Sequence, residues 1–336
     1  MRHGTYATRG CTRRTQRYLC RHCGRTFSET AFLNTYYAKR PELLVPLGHR
    51  LVACSGYRQM AREMRCAATT LMRQAQRIGR QALLRMASMR PASPPDEPLV
   101  VDGFESFSYS QYHPCHVNIA VGARSHHTYA FTFSALRRKG RMTRAQRRRR
   151  ARIEAEHGRP DPRAIERGIA ELLAAACPAP GSIVVRSDEH TDYPRALRRL
   201  AHLDIRHERT SSREARTPGN PLFPVNLVDL LIRHNSANHK RETIAFSKHA
   251  QALVERVAWL LVWRNCCKRF SERRGGGTPA MRAGLLARPL GVAGVLRWRL
   301  FPDRVSPPQV WRRYYERREH APGTARASRR VLRFAF

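Results

Sequence analysis

Apolar positions follow two different rhythms along the chain, and the change between them falls near residue 97. Between residues 41 and 89 the rhythm is helical: "PELLVPLGHRLVAC", a break at Ser55-Gly56, "YRQMAREM", a short break at Arg65-Cys66, then "ATTLMRQAQRIGRQALLRM". In the last segment Leu71, Ala75 and Ile78 share one face and leave Arg73, Gln74, Arg77 and Arg80 largely free. Two short helices before a longer basic one suit a helix-turn-helix over residues 40–90, with those four side chains as DNA contacts. Any three-helix bundle shows a similar pattern.

"MRPASPPDEP" is a Pro- and Ser-rich linker, and beyond it the rhythm becomes that of strands. "LVVDGFESFSYS", "HVNIAVG" and "TYAFTFSAL" are rich in β-branched and aromatic residues and predict a three-stranded antiparallel meander. A basic run, "RRKGRMTRAQRRRRAR", separates them from a helix that starts at Asp161-Pro162, with an apolar stripe at Ile165, Ile169, Leu172 and Ala176. "SIVVRSD" is the next strand, "YPRALRRL" a helix with Tyr193 inward, and "DIRHERT" a fifth strand. The order βββαβαβ, followed by helices, matches an α/β ribonuclease-H-like mixed sheet over residues 97–270.

That order gives two acids a meaning. Asp102 ends the first strand and Asp188 the fourth, and in such a sheet these strands are neighbours. Two carboxylates at adjacent strand ends repel each other, and a pair of Mg²⁺ (or Mn²⁺) ions removes the repulsion while supplying phosphodiester chemistry. For a lone Asp, capping a turn is the commoner reading. In "FPVNLVDLLIRHNSANHKRETIAFSKH" the apolar Leu227, Leu230 and Leu231 share one helical face with His234, and Asn226, Asp229 and Arg233 share another, from which Asp229 reaches the strand ends as a third acid. Glu242 and Glu255 are the remaining candidates, with a salt bridge to neighbouring Arg residues as the alternative for both.

Charge then narrows the partner. The 336 residues carry 63 Lys and Arg against 25 Asp and Glu, a formal net charge of +38. Unopposed, this charge repels itself, and a nucleic acid is the polyanion that best explains it. No apolar run reaches the roughly 18 residues of a membrane-spanning helix, and the opening "MRHGTYATRGCTRR" lacks the apolar stretch of a signal peptide, so a cytoplasmic protein is expected. Nine cysteines at irregular spacing do not form a secreted disulfide framework. Cys20 and Cys23, in "YLCRHCGRTFS", have the spacing of a zinc knuckle, but a complete zinc ribbon needs four ligands, and Cys11 and His3 would complete it only at non-standard spacing.

The motifs "QRYLCRHCGRTFS", "VVDGFESF", "SDEHTDYPRAL" and "IRHNSANHKRETIAFSKH" together resemble bacterial insertion-sequence transposases of the DDE type, closest to the insertion-sequence-one class and its relatives. The resemblance spans most of residues 15–270. It implies a zinc ribbon (a partial one over 1–36), a helix-turn-helix, a ribonuclease-H-like catalytic domain and, over 271–336, a basic tail. It implies Mg-dependent cleavage and transfer of DNA strands at element ends and in target DNA, by a homo-oligomer holding two ends. Asp102 and Asp188 carry over as the first two catalytic acids. The family's third acid, a Glu, falls on Asn226, so either Asp229, one turn later, replaces it or the site is weakened.

Two alternatives stay open. One is a decayed transposase that only binds DNA, motivated by Asn226 and the half knuckle. The other, an RNA-binding or ribosome-associated protein, accounts for the charge but not for the placement of Asp102 and Asp188. The helix "QALVERVAWLLVWRNCCKRF" reads as core or subunit interface, and the end "VWRRYYERREHAPGTARASRRVLRFAF" mixes aromatics with Arg in a way that suits phosphate contact with base stacking.

Overall fold

In a computed structural model, residues 1–7, 14–211, 213–240, 242–271 and 275–320 are described. Strands β1 (Arg2–Tyr6), β2 (Thr15–Leu19) and β3 (Thr26–Ser28) form a small antiparallel sheet in that order. Helices α1 (Leu44–Leu51), α2 (Tyr57–Glu63) and α3 (Ala68–Ser88) follow. Next come β4 (Leu99–Phe107), β5 (Pro114–Gly122) and β6 (Thr128–Ala135), then α4 (Arg144–His157), α5 (Ala164–Ala176), β7 (Gly181–Ser187), α6 (Asp192–Leu197) and β8 (Leu203–Arg209). The chain continues through α7 (Phe223–Asn235), α8 (Ala250–Cys266), α9 (Pro279–Arg282), α10 (Val292–Arg297), α11 (Pro302–Val305) and α12 (Gln309–Tyr315).

The second sheet has five strands in the order β6-β5-β4-β7-β8. The meander β4-β5-β6 is antiparallel, whereas β7 pairs parallel with β4 and with β8. This mixed α/β sheet is compatible with a ribonuclease-H-like fold. Helix α5 covers one face and α7 and α8 the other. Strands β5 and β6 are buried almost throughout, and their alternation puts Val117, Ile119, Phe131 and Phe133 on one face and Asn118, Thr132 and Ser134 on the other.

Polar groups on the α5 side are paired internally. Asn118 donates to Thr132 (3.0 Å) and Ser134 (3.1 Å), which in turn donate to the carbonyls of Gly168 and Ala164. Gly168 is required there, because a Cβ would stand 2.6 Å from the Asn118 amide.

The three helices before the sheet form as expected, but α3 presents a different face to its surroundings. It packs along α8, while α12 and the 34–40 segment cover its other side. Gln74 is buried and donates to the Arg40 carbonyl, Arg77 donates to the carbonyls of Asn34 (2.6 Å) and Tyr36 (2.7 Å), and Arg80 lies buried over the Tyr315 ring. Burial pulls the Arg77 pKa down to about 10. The expected free face therefore reduces to Arg73, because α3 is enclosed from two sides rather than one.

Beyond residue 270, the described part of the expected basic tail contributes Val292, Val295, Leu296, Val310, Trp311 and Tyr314 to the core. Trp311 and Tyr314 are buried against β6, Trp311 donating to the Phe131 carbonyl and the Tyr314 hydroxyl accepting from the Phe133 amide. Trp259 is also buried and donates to the Gly48 carbonyl, as a core reading of α8 expects. No helix among the described residues is long and apolar enough to cross a membrane.

Candidate active site at the β4–β7 junction

Asp102 does not end its strand. Strand β4 continues to Phe107, paired with β5 throughout, but its parallel pairing with β7 stops at Val100 opposite Arg186. Asp102 therefore stands just past the point where β4 and β7 part, and Asp188 directly follows the last residue of β7. A splayed parallel junction of this kind leaves a crevice at the strands' carboxyl ends, where α/β sheets place their ligands. At Asp188 the chain turns at once, with the His190 amide donating to Asp188 Oδ1 (2.9 Å) and the Ser187 hydroxyl to the Asp188 carbonyl.

Asp229 arrives from α7, though not by the expected route. The inward face of α7 is Val225, Val228 and Ile232, whereas Leu230 is 63% exposed and His234 is exposed too. Two apolar stripes compete on this helix, and the one that packs is the β-branched one. Asp229, next to Val228, is thereby carried toward the sheet. Its Oδ1 is buried without a hydrogen-bond partner.

Electrostatics ties the three acids into one cluster. Desolvation first, then the Asp188 charge, raises the Asp102 pKa to about 6, against the Gly103 amide, Arg216 and the Tyr193 hydroxyl, which lower it. Asp229 is pushed well above its ordinary value by burial and then by Asp102, with Arg233 and Arg216 opposing. Tyr193, buried on α6, bonds Asp102 and is itself raised by burial and by the charges of all three acids. Tyr193 thus feels the charge of all three acids and bonds one of them, Asp102.

The remaining neighbours were not legible as site residues. Arg233 lies over the Phe104 ring and donates to the Glu105 and His239 carbonyls, and the exposed Arg216 comes from the loop after β8. From the polar block between Ser236 and Ser247, residues His239 and Phe246 pack against Phe104 and Phe107 of β4. Within this block, Asn238 donates to Ser247, and His239 packs edge-on to Phe104 within reach of Ser106. Tyr193 was visible only as an inward-facing aromatic. A cleft of about 430 Å³ lined by Arg163, Glu166, Arg195 and Arg198 opens between the start of α5 and α6.

The other candidates lie elsewhere. Asn226 is half-buried one turn before Asp229, and none of the interactions that join the acids includes it. Glu242 is exposed. Glu255 is buried between α8 and its neighbours, where it pairs with Arg317 (3.0 Å) and Gln251, so the salt-bridge reading holds for it.

Cys20 and Cys23 flank the tight turn between β2 and β3, in which the Gly24 amide donates to the Cys20 carbonyl. The backbone amides of Cys23 and His22 stabilise the Cys20 thiolate and lower its pKa. His3 is exposed on β1, and Cys11 lies outside the described residues.

For a divalent cation the donor chemistry at the junction fits. It consists of three carboxylates, hard oxygen ligands, with one unpartnered buried oxygen on Asp229, and Asp102 and Asp229 are held above their ordinary pKa first by burial and then by a neighbouring acid. Among the described residues no three His, Cys, Asp or Glu side chains already form a metal-holding group, so an ion would have to draw the carboxylates together.

No family model matches the chain, and no curated protein matches it. Among solved structures it is similar to a chain of the simian T-cell lymphotropic virus intasome in complex with PP2A regulatory subunit B56 gamma, at 14% identity and a TM-score of 0.26. The match covers 60% of this chain and 60% of that one, and a likeness so weak decides nothing about fold or activity.

Proposed function

We propose that this protein is a DNA-cleaving and strand-joining enzyme, a transposase of the DDE type, with Asp102, Asp188 and Asp229 as its catalytic acids. The observation that carries the reading is that the charges of all three acids act on the buried Tyr193 hydroxyl, where β4 and β7 part. Acids kept at a desolvation cost do nothing for stability, and a ligand set is what such an arrangement serves.

The three carboxylates would hold Mg²⁺ or Mn²⁺. When bound, the cation pair offsets their repulsion and stabilises negative charge at the attacking and leaving oxygens of a phosphodiester. The chain's own residues do the positioning. Tyr193 donates to Asp102 and fixes one of its oxygens, the Asx turn at Asp188 fixes another, and α7 holds Asp229 at the junction. Arg216, exposed beside the acids, is placed to meet a phosphate that carries its own negative charge.

DNA contact from α3 narrows to its open first turns, Thr69, Met72 and Arg73, the part of a recognition helix that meets base edges. In this reading the Cys20–Cys23 turn is half of a zinc site that needs both Cys11 and His3 to close, and end recognition by a homo-oligomer depends on it.

The test is nicking of a supercoiled plasmid that carries the gene's flanking DNA, with Mg²⁺ or Mn²⁺. Cleavage at fixed positions by the wild type, lost in Asp188→Ala with DNA binding intact, supports the proposal. Tight binding with no metal-dependent cleavage would move the protein to a DNA-binding role without chemistry.

A further inference from the structure

Helix α4 has no place in the account so far. It is inserted between β6 and α5, and it buries none of its residues. From Arg137 to Arg152 the chain has ten cations and no acid in sixteen residues. Such a segment gains nothing from apolar burial, and its i,i+4 pairs Arg144/Arg148 and Arg148/Arg152 repel. Something else must hold it in place.

Two devices do. A capping box closes its start, with the Thr143 hydroxyl accepting from the Gln146 amide and the Gln146 side chain accepting from the Thr143 amide. Near its end Glu154, whose side chain is only 10% exposed, gathers three arginines: Arg137 through two hydrogen bonds (2.8 and 2.9 Å), Arg150 (3.4 Å) and Arg159 (3.1 Å). Arg138 and Arg149 lie over the Tyr112 ring at 5.1 and 5.2 Å. The inner face is thereby satisfied. The outer face presents Arg144, Arg147, Arg148 and Arg152, all exposed and none in the ion pairs just described.

Topology starts this segment from the carboxyl end of β6. Strand β6 runs parallel to β4, since both are antiparallel to β5, and the chain leaves it after Ala135, four residues past Phe131, which pairs through Ile119 with Asp102. Tyr112, which anchors α4, belongs to the turn between β4 and β5 at that same end.

We propose that α4 is a clamped arm that binds the phosphate backbone of duplex DNA. The proposal rests on the reading of the protein as a DNA enzyme. It adds a second contact surface, separate from α3. Arg144, Arg148 and Arg152 form a row about 12 Å long, from the helical rise of about 1.5 Å per residue. Duplex DNA presents one negative charge per roughly 1.7 Å of its axis, dense enough to engage every cation in the row. The four outward arginines would contact phosphates without reading sequence.

The test is salt dependence. Affinity of the full chain for a 30-base-pair duplex of arbitrary sequence is measured between 50 and 200 mM salt. It is compared with a variant carrying Arg144→Gln, Arg147→Gln, Arg148→Gln and Arg152→Gln, and with the same four positions as Lys. At about 0.9 ions released per phosphate contact, the Gln variant should lose roughly 3.6 from the slope of log affinity against log salt. Its deficit should therefore shrink by about 10²-fold between the two salt concentrations, and the Lys variant should keep the wild-type slope. Circular dichroism confirms that both variants fold.

An unchanged slope in a folded Gln variant overturns the arm while leaving the acids untouched, and loss of binding to anionic lipid vesicles alone would overturn it in favour of a membrane surface. Absence of duplex binding by the wild type overturns both the arm and the DNA reading.

Discussion

Replacing Asp102 by Asn should make the metal-free protein more stable. The Asp102 pKa stands at about 6 against an ordinary 3.8, chiefly because burial and the Asp188 charge disfavour the carboxylate. The sign follows directly. The folded state holds this proton more tightly than the unfolded chain, so the group's contribution to stability is greatest below about pH 4. It falls as the pH rises through 6. Above pH 7 the full difference is a destabilisation of about 3 kcal/mol, at 1.36 kcal/mol per tenfold change in proton affinity. Asn keeps an oxygen for the Gly103 amide or the Tyr193 hydroxyl and carries no charge, so roughly 1–3 kcal/mol should be recovered once imperfect bonding is allowed for.

With an unfolding entropy of about 2.1 cal/mol/K per residue, that is a rise in Tm of about 1–4 °C for a chain of this length. The assay is thermal unfolding at pH 7.5 and pH 5 in EDTA, followed by the same scan with millimolar Mg²⁺. The variant should gain at pH 7.5 and much less at pH 5, and Mg²⁺ should stabilise the wild type but not the variant. A Tm for Asp102→Asn below wild type at pH 7.5, with no pH dependence, would refute the idea that the junction holds repelling carboxylates.

Further outcomes follow from other parts of the molecule. Gly79→Ala should lower Tm by the few kcal/mol typical of overpacking, because a Cβ there would lie 2.5 Å from the Glu255 Cβ and 2.7 Å from its backbone oxygen; a neutral change would mean that α3 and α8 pack more loosely. Asn226→Ala should leave cleavage near wild type while Asp229→Ala removes it, and the reverse result would restore the family's own third position. Glu154→Gln should weaken the hold on α4, seen as faster proteolysis between residues 137 and 160, because one largely buried carboxylate serves three arginines. Purified protein should carry zinc that is lost in Cys20→Ser with Cys23→Ser; metal analysis showing no zinc in the wild type would leave the turn a plain β-hairpin connection.

The five-strand sheet was legible because its strands are β-branched runs cut by turn residues, and the order of runs already places β4 beside β7. Asp102 and Asp188 were legible for the same reason, since each follows such a run. What periodicity could not settle was which of two stripes a helix buries. Helix α7 carries Leu227, Leu230 and Leu231 on one side and Val225, Val228 and Ile232 on another, and only the sheet decides between them. Helix α3 misled in the complementary way: Gln74, Arg77 and Arg80 look solvent-facing on a lone helix, yet backbone carbonyls and the Tyr315 ring, distant in sequence, enclose them. Helix α4 has no apolar rhythm at all, and its one local sign was the Thr143–Gln146 pairing of a capping box. Tyr193 showed only as an inward-facing aromatic and Arg216 lacked any sequence signal, since their roles arise from neighbours brought together by the fold.

The most direct test of the three acids as one site is a cleavage cycle on flanking DNA with Mn²⁺, comparing Asp102→Ala, Asp229→Ala and the double variant. Residues that act as a unit fail as a unit. Each single variant should fall to the background level of the double variant, with DNA affinity unchanged. Wild-type cleavage by Asp229→Ala, or cleavage losses that simply add, would contradict a shared site at the β4–β7 junction.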